Sequence, residues 1–166
     1  IKKLTPYDVE NFQQFGYAVA LSGEYALVGA PGASLPGGER GGAVYVFHKN
    51  LGGGENWGEL TKLTGTDTID GDNFGNATAL NGETAVIGAC TAGSAGTQPG
   101  AVYVFFQHRG GTDNWGQVEK VTAGDAEDGD QYGWSVAAYE SFLFIGAGEE
   151  DGPGTNRGAV YVYANE

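Results

Sequence analysis

The chain has 166 residues, 31 of them glycine, and its 21 acidic residues outnumber eight basic residues to leave a formal charge of −13. This length suits one domain or a few small units that share a core. The negative charge disfavours nucleic acid and anionic membranes as partners because like charges repel, and no apolar stretch is long enough to insert into a bilayer. A single cysteine, Cys90, excludes a disulfide within the chain.

Four short strands are predicted in the first third of the chain. Residues 17–21 and 25–29 flank the turn Ser22-Gly23-Glu24 and predict a hairpin. A glycine-rich loop leads to residues 43–47, whose branched and aromatic side chains favour a third strand. Residues 60–63 predict a fourth strand after a second hairpin. No segment is typical of a long amphipathic helix.

This order of elements occurs three times. Its markers are the aromatic-Gly pairs at residues 15–16, 74–75 and 132–133 and the Gly-Ala-Val-Tyr-Val runs that begin at residues 42, 100 and 158. Successive pairs are 59 and 58 residues apart. Four antiparallel strands per repeat, small residues on the first strand and bulky residues on the outer strands are typical of β-propeller blades.

The repeats therefore predict an all-β protein with three four-stranded antiparallel propeller blades and the strand order 4-1-2-3 in each repeat. The whole chain, 1–166, is predicted to be one propeller-type array. Its blade units are approximately 1–47, 60–105 and 118–163, joined by hairpins 48–59 and 106–117. Trp57 and Trp115 are expected to pack between blades, and a platform for sugars is the alternative role of these two rings.

The motifs Phe15-Gly16 and Gly29-Ala30-Pro31 resemble FG-GAP repeats, the blades of integrin alpha-subunit propellers and of many microbial and algal extracellular proteins. The resemblance covers nearly the whole chain. It implies an extracellular or cell-surface module, without catalytic activity, for adhesion or protein–protein binding. A self-assembling scaffold, as an oligomer or a filament subunit, is the structural alternative.

Catalytic chemistry is not expected. His48 and His108 do not occupy equivalent positions in their repeats, and no Ser/His/Asp or Cys/His pattern is visible. Neither the lone cysteine nor these two histidines have the spacing of a zinc site. No cofactor is predicted.

Calcium is the one metal that the resemblance brings into question. Integrin-like blades often hold calcium in the turn between the first two strands, with an Asp-rich loop. The corresponding turns here are too short and too poor in carboxylates, so this site is not carried over. They are residues 22–24, 81–83 and 139–141.

Acidic residues gather instead in the loops between repeats, where they predict an acidic rim on one face. The candidate rim consists of Asp67, Asp70, Asp72, Asp125, Asp128 and Asp130. This rim would be a shallow cation site, with calcium as the candidate ion, or a docking surface for a basic partner. The alternative is that these residues form and solvate tight turns.

One N-glycosylation sequon occurs at residues 76–78, with Asn76 as the acceptor. It follows an aromatic-Gly pair, so it is expected near the propeller axis, where a glycan would be crowded. A chance match is the alternative.

The two ends of the repeat pattern predict edges for assembly. Leu4 aligns with Leu63 and Val121, so residues 1–5 are predicted to be a fourth strand without its preceding three. The predicted assembly edges are Ile1, Lys2, Lys3, Leu4, Ala159, Val160, Tyr161, Val162 and Tyr163. Two copies that close a six-bladed ring, an open fibre, or a longer propeller of which this is one part are the three alternatives. The expected partner is thus a protein, or the chain itself as a homo-oligomer.

Overall fold

A computed structural model describes residues 2–54, 56–93, 97–150 and 155–164. These residues form eleven strands and no helix. The strands are β1 (Val19–Ser22), β2 (Tyr25–Ala30), β3 (Ala43–His48), β4 (Gly58–Leu63), β5 (Ala77–Asn81), β6 (Thr84–Ala89), β7 (Ala101–Phe106), β8 (Gly116–Val121), β9 (Tyr132–Tyr139), β10 (Phe142–Ala147) and β11 (Ala159–Ala164).

The strands form three antiparallel sheets, one for each repeat. The first has the order β1-β2-β3-β4 and the second the order β5-β6-β7-β8. The third, β9-β10-β11, has three strands among the described residues. This confirms the all-β fold and the propeller-type blades, with the difference that the third blade shows three strands. Each sheet is built from consecutive strands, so the fourth strand pairs with the third strand that precedes it along the chain.

The first hairpin of each sheet turns through two residues. In the first two sheets the turn glycine, Gly23 or Gly82, has a φ of 58° or 57°, and in the third sheet Glu140 has a φ of 51°. Such turns match the right-handed twist of the flanking strands. They bring the first two strands of each sheet into register without a loop.

The hydrophobic core lies between neighbouring sheets. Successive side chains of a strand point to opposite faces of its sheet, so the middle sheet packs one face against the first sheet and the other face against the third. Between the first two sheets, the fully buried side chains include Leu27, Val44, Val46, Phe74, Ile87 and Tyr103. Between the second and third they include Val86, Val102, Tyr132 and Ile145. The first strands β1, β5 and β9 lie next to one another, so this edge of the sheets converges.

The glycines of the repeated motifs allow backbones of adjacent sheets to touch. Gly29 and Gly88 have no room for a side chain, because a Cβ atom would collide with the carbonyl oxygen of Gly75 or Gly133 in the next sheet. Single parallel β-bridges join Gly42 to Phe74 and Gly100 to Tyr132. The repeated Phe-Gly and Gly-Ala motifs therefore provide close backbone contacts between one blade and the next.

The N-terminal segment, residues 2–14, packs on the first sheet. Residues 2–5 form no strand in this structure, which differs from the predicted fourth strand. Leu4 nevertheless packs against the first sheet near Tyr45 and Phe47, as Leu63 packs against the second. A strand needs a neighbouring strand to donate and accept its ladder bonds, and none lies beside this segment among the described residues.

Candidate functional site

The acidic loops do not converge on one point, since each carboxylate of the predicted rim accepts a hydrogen bond from its own separate set of donors. Asp67 is the clearest case. It accepts a hydrogen bond from the Tyr103 hydroxyl at 2.9 Å and pairs with the Lys120 ammonium at 2.6 Å. The fully buried Tyr103 lies on β7 and Lys120 on β8. The loop that leads into the second sheet is thus tied to its third and fourth strands.

The same arrangement is found in the first repeat, where it was not predicted. Asp8 accepts from Tyr45 at 2.7 Å and pairs with Lys62 at 2.6 Å. The positions of Asp8 and Asp67 differ by the length of one repeat, as do those of Lys62 and Lys120. We call this set of three side chains the Asp-Tyr-Lys cluster.

These clusters shift the pKa values of their members. Partial burial by itself raises the pKa of Asp8 and Asp67, but the hydrogen bonds from lysine and tyrosine outweigh burial and hold both pKa values below the ordinary range. Burial raises the pKa of Tyr103 to about 12, with Asp67 contributing in the same direction. Both aspartates are therefore charged, and the tyrosine protonated, at neutral pH.

In the third repeat the cluster lacks its lysine. The Tyr161 hydroxyl donates to Asp125 at 2.9 Å, and no cation reaches Asp125 within the residues that the structure describes. The lysine of each other cluster lies on the fourth strand, the element that the third sheet does not show.

The other four acidic residues of the predicted rim accept from backbone amides. Asp70 accepts from Arg40 N at 2.8 Å and Asp128 from Gln98 N at 2.6 Å, and each bond joins two loops of adjacent repeats. Asp72 and Asp130 are buried and close tight turns by accepting from the amides of Ile69 and Glu127. Burial raises the pKa of Asp72. Asp72 and Asp130 thus form tight turns, whereas Asp70 and Asp128 connect neighbouring loops.

No group of three or more acidic, histidine or cysteine side chains in the described part of the chain is arranged to hold a metal ion. The calcium loop that the resemblance raised does not fit these residues, because the first hairpin turns contain two residues each and no aspartate. Cys90 is buried, and burial raises the pKa of its thiol.

The amide of Asn76, the predicted glycan acceptor, is fully used. Its nitrogen donates to the carbonyl oxygens of Gly133 at 3.0 Å and Trp134 at 3.1 Å, and its oxygen accepts from Cys90 N at 3.0 Å. A glycan on this nitrogen would break at least one bond between the second and third sheets.

The outward face of the third sheet is the largest departure from the repeat. Val160 and Val162 are 66% and 54% exposed, whereas their equivalents Val44 and Val46 are fully buried. Phe144, at the position of Leu27, is 45% exposed. These side chains have the character of a blade interface, but no blade formed by the described residues lies against them. We call Phe144, Val160 and Val162, with Phe142 beside them, the outward face.

The predicted assembly edges lie at opposite ends of the sheet array. Strand β11 contains Ala159, Val160, Tyr161, Val162 and Tyr163. It pairs with β10 on one side, and on the other side no strand of the described residues pairs with it, so this side is an open edge. At the other end, Lys2 donates to Asn56 and to the Trp57 carbonyl, while Lys3 is exposed and Leu4 half-buried. Ile1 lies outside the described residues.

Trp115 and Trp57 both pack against blade surfaces. Trp115 is buried between the first two sheets, with its ring 5.8 Å from that of Tyr25, and Trp57 packs on the first sheet. Neither ring forms a sugar platform here. No helix among the described residues is long and apolar enough to cross a membrane.

Three sheets of one repeated design, joined face to face through glycine contacts, define a β-propeller-type repeat module. The sequence model of the FG-GAP repeat matches residues 1–47, 57–105 and 115–163. The chain therefore belongs to the FG-GAP repeat family. A comparison with curated proteins found no match.

The Asp-Tyr-Lys cluster escaped sequence reasoning although a signal was present. Its members recur at the repeat spacing, but Asp8 stands among few other acids and Asp67 among many. The number of acids marks the loops only as a group. The signal for the cluster is that a single acid and the tyrosine of the Ala-Val-Tyr-Val strand recur together at the repeat spacing.

Proposed function

We propose that this chain is a non-catalytic, extracellular FG-GAP propeller module that works by protein–protein contact, as an adhesion module does. The observation that carries the proposal is the outward face. Valines of the third sheet are exposed here, whereas the equivalent valines of the other two repeats are buried between blades. In those two repeats a protein surface of matching shape, the next blade, covers the valines.

The partner that fits this face best is another blade of the same kind. In the two interfaces that the chain already contains, equivalent valines pack against the aromatic residue of the next blade, such as Phe74 or Tyr132. The first sheet presents the matching surface. There Phe15 is half-buried, and Val19 and Leu21 are exposed.

Self-association is the second candidate function, and the incomplete cluster at Asp125 favours it. Lys3 stands at the repeat position of Lys62 and Lys120. If a second copy lays its first sheet against the outward face, its residues 1–5 come beside the open edge of β11. Lys3 of that copy then pairs with Asp125 and supplies the lysine that the third cluster lacks.

This arrangement needs little rearrangement of the N-terminal segment. Leu4 already packs on the first sheet as Leu63 packs on the second, so the segment lies where the fourth strand of a preceding blade would lie. Ladder bonds along β11 would add a strand to the third sheet, as in β-augmentation.

Sedimentation velocity of the 166-residue chain over a wide concentration range tests the proposal. We expect oligomers, with one discrete mass if two copies close a ring and a growing series of masses if copies add head to tail. The Val162→Asp variant should stay monomeric, because a charge would be buried in the new interface. Val19→Asp tests the opposite surface and should have the same effect.

Charge exchange tests the register of the contact. We expect Asp125→Lys and Lys3→Asp each to weaken association, and the double variant to restore it in part. Asp128→Lys, on the same loop but bound to a backbone amide, is the control for added positive charge. A chain that is monomeric up to its solubility limit would contradict self-association and leave docking of a different protein as the function of the outward face.

A further inference from the structure

A groove of about 420 Å³ opens beside the start of the inner strands and joins all three blades. Tyr17 of the first repeat and Trp134 of the third line it, with Asn76 of the second between them. These three residues stand at the same place in their repeats, directly after the aromatic-Gly pair. The groove belongs to a single copy of the chain, and its lining contains no residue of the outward face or of β11, although Trp134 also lines a neighbouring cavity with Val160 of that face.

The backbone presents these three positions in the same way. In each repeat the amide of the residue closes a tight turn onto a carbonyl three residues earlier, at 3.0 to 3.1 Å. The residue that supplies this carbonyl has a positive φ in all three cases, 58° at Gln14, 56° at Asn73 and 58° at Gln131. A repeated scaffold thus displays three different side chains, a phenol, an amide and an indole, in one row.

The two rings are displayed to solvent, whereas the amide between them is fixed. Tyr17 is 57% and Trp134 is 53% exposed. Asn76 uses its whole amide on Gly133, Trp134 and Cys90, so it anchors the backbone that carries the indole. Large aromatic surfaces that are held in place but not covered are typical of binding platforms.

The chemistry of the lining defines the class of ligand. None of the described residues that line the groove is charged, although the chain carries 21 acidic residues. The Asn73 amide donates to Thr91 Oγ1 at 2.8 Å, and its oxygen accepts from none of the described residues. This acceptor calls for a ligand that donates hydrogen bonds, and the exposed Gln14 amide can both donate and accept.

We propose that the groove between Tyr17 and Trp134 is a binding site for a neutral carbohydrate chain. Sugar rings have flat apolar faces that stack on the phenol and indole rings, and their hydroxyl groups supply the donors that Asn73 lacks. A proline-rich segment also stacks on aromatic rings, but its prolines have no N–H to donate. The carbohydrate is therefore favoured over the peptide.

Titration of the full chain with cellohexaose, chitohexaose and laminarihexaose, followed by NMR of the indole N–H signals, tests this site. We expect at least one of these neutral probes to bind and to shift the Trp134 signal. Trp134→Ala should lower the affinity at least about tenfold, and Tyr17→Ala should lower it several-fold. Both rings are more than half exposed, so both variants should keep the melting temperature of the parent.

Tyr7→Ala is the matched control, since Tyr7 is an even more exposed tyrosine that does not line the groove. The titration is repeated in the Asp125→Lys background, so that a failure of self-association does not affect the outcome. Three results would overturn the proposal. They are no binding of any probe at millimolar concentration, equal loss of affinity in Tyr7→Ala and Trp134→Ala, or a shift of the Trp134 signal by a proline-rich peptide but by none of the sugars.

Discussion

At the scale of single residues, aspartates of the acidic loops stabilise the fold by accepting hydrogen bonds from tyrosine and lysine side chains. Each Asp-Tyr-Lys cluster ties the loop that leads into a blade to the two outer strands of that blade. The buried tyrosine hydroxyl needs an acceptor, because an unpaired hydroxyl in the core costs free energy. The aspartate supplies the acceptor, and the lysine keeps it charged.

The Tyr103 hydroxyl provides the first prediction. We expect Tyr103→Phe to lower the free energy of unfolding by about 1 kcal/mol, since Asp67 loses one of its two donors. Urea denaturation measures the change. Tyr161→Phe is the matched control, and its effect should be smaller because Tyr161 is less buried and its cluster has no lysine. Equal effects of the two variants would contradict the role of the complete cluster.

The lowered pKa values of Asp8 and Asp67 predict how stability depends on pH. A carboxyl whose pKa is lower in the folded state stabilises that state above its ordinary pKa, and this stabilisation is lost as the pH falls through the folded pKa. We therefore expect the melting temperature to decrease when the pH drops below about 4. The decrease should be less steep in the double variant Asp8→Asn/Asp67→Asn. Asp70→Asn is the control, because Asp70 accepts from a backbone amide and pairs with no lysine among the described residues. The same decrease of the melting temperature with pH in the parent and in the double variant would refute this prediction.

At the scale of elements, the repeated glycines position the sheets. Their absent side chains let a carbonyl of one sheet rest on the backbone of another, which brings the valines of one blade onto the aromatic rings of the next. The sheets could not approach as closely with any other residue at these points.

Gly88 tests this close approach. We expect Gly88→Ala to lower the free energy of unfolding by roughly 1–3 kcal/mol, because its Cβ atom would collide with the Gly133 carbonyl oxygen and force the second and third sheets apart. Gly37→Ala is the control, since Gly37 has open space around it and an ordinary φ. Thermal unfolding of both variants decides the prediction, and a neutral Gly88→Ala would show that the interface yields.

At the scale of the whole molecule, the three blades share one design but not one environment. The middle blade is covered on both faces, the first blade is covered on one side by the N-terminal segment, and the third leaves its outward face exposed. Because burial of apolar surface drives association, equivalent residues contribute to folding in one blade and are available for binding in another.

Val102 and Val160 measure this difference, since they occupy the same repeat position. We expect Val102→Ala to lower the free energy of unfolding of the monomer by roughly 2 kcal/mol. Val160→Ala should change it by less than about 0.5 kcal/mol but weaken the association of copies. Chemical denaturation at low concentration and sedimentation at high concentration separate the two effects. A large loss of monomer stability in Val160→Ala would mean that the outward face is covered within one chain.

The repeat, the strand content and the family could be predicted from the sequence, because each of these rests on local periodicity and on motifs such as Phe15-Gly16 that recur at a fixed spacing. The sequence also predicted a fourth strand at residues 1–5, whereas residues 2–5 form no strand in the structure. The partners of the acidic residues depend on the fold. Asp67 accepts from a tyrosine and a lysine of two distant strands, and no count along the chain shows which donor a carboxylate meets. The same holds for exposure. Val160 and Val102 stand in the same local sequence, and what separates them is whether another sheet lies against them.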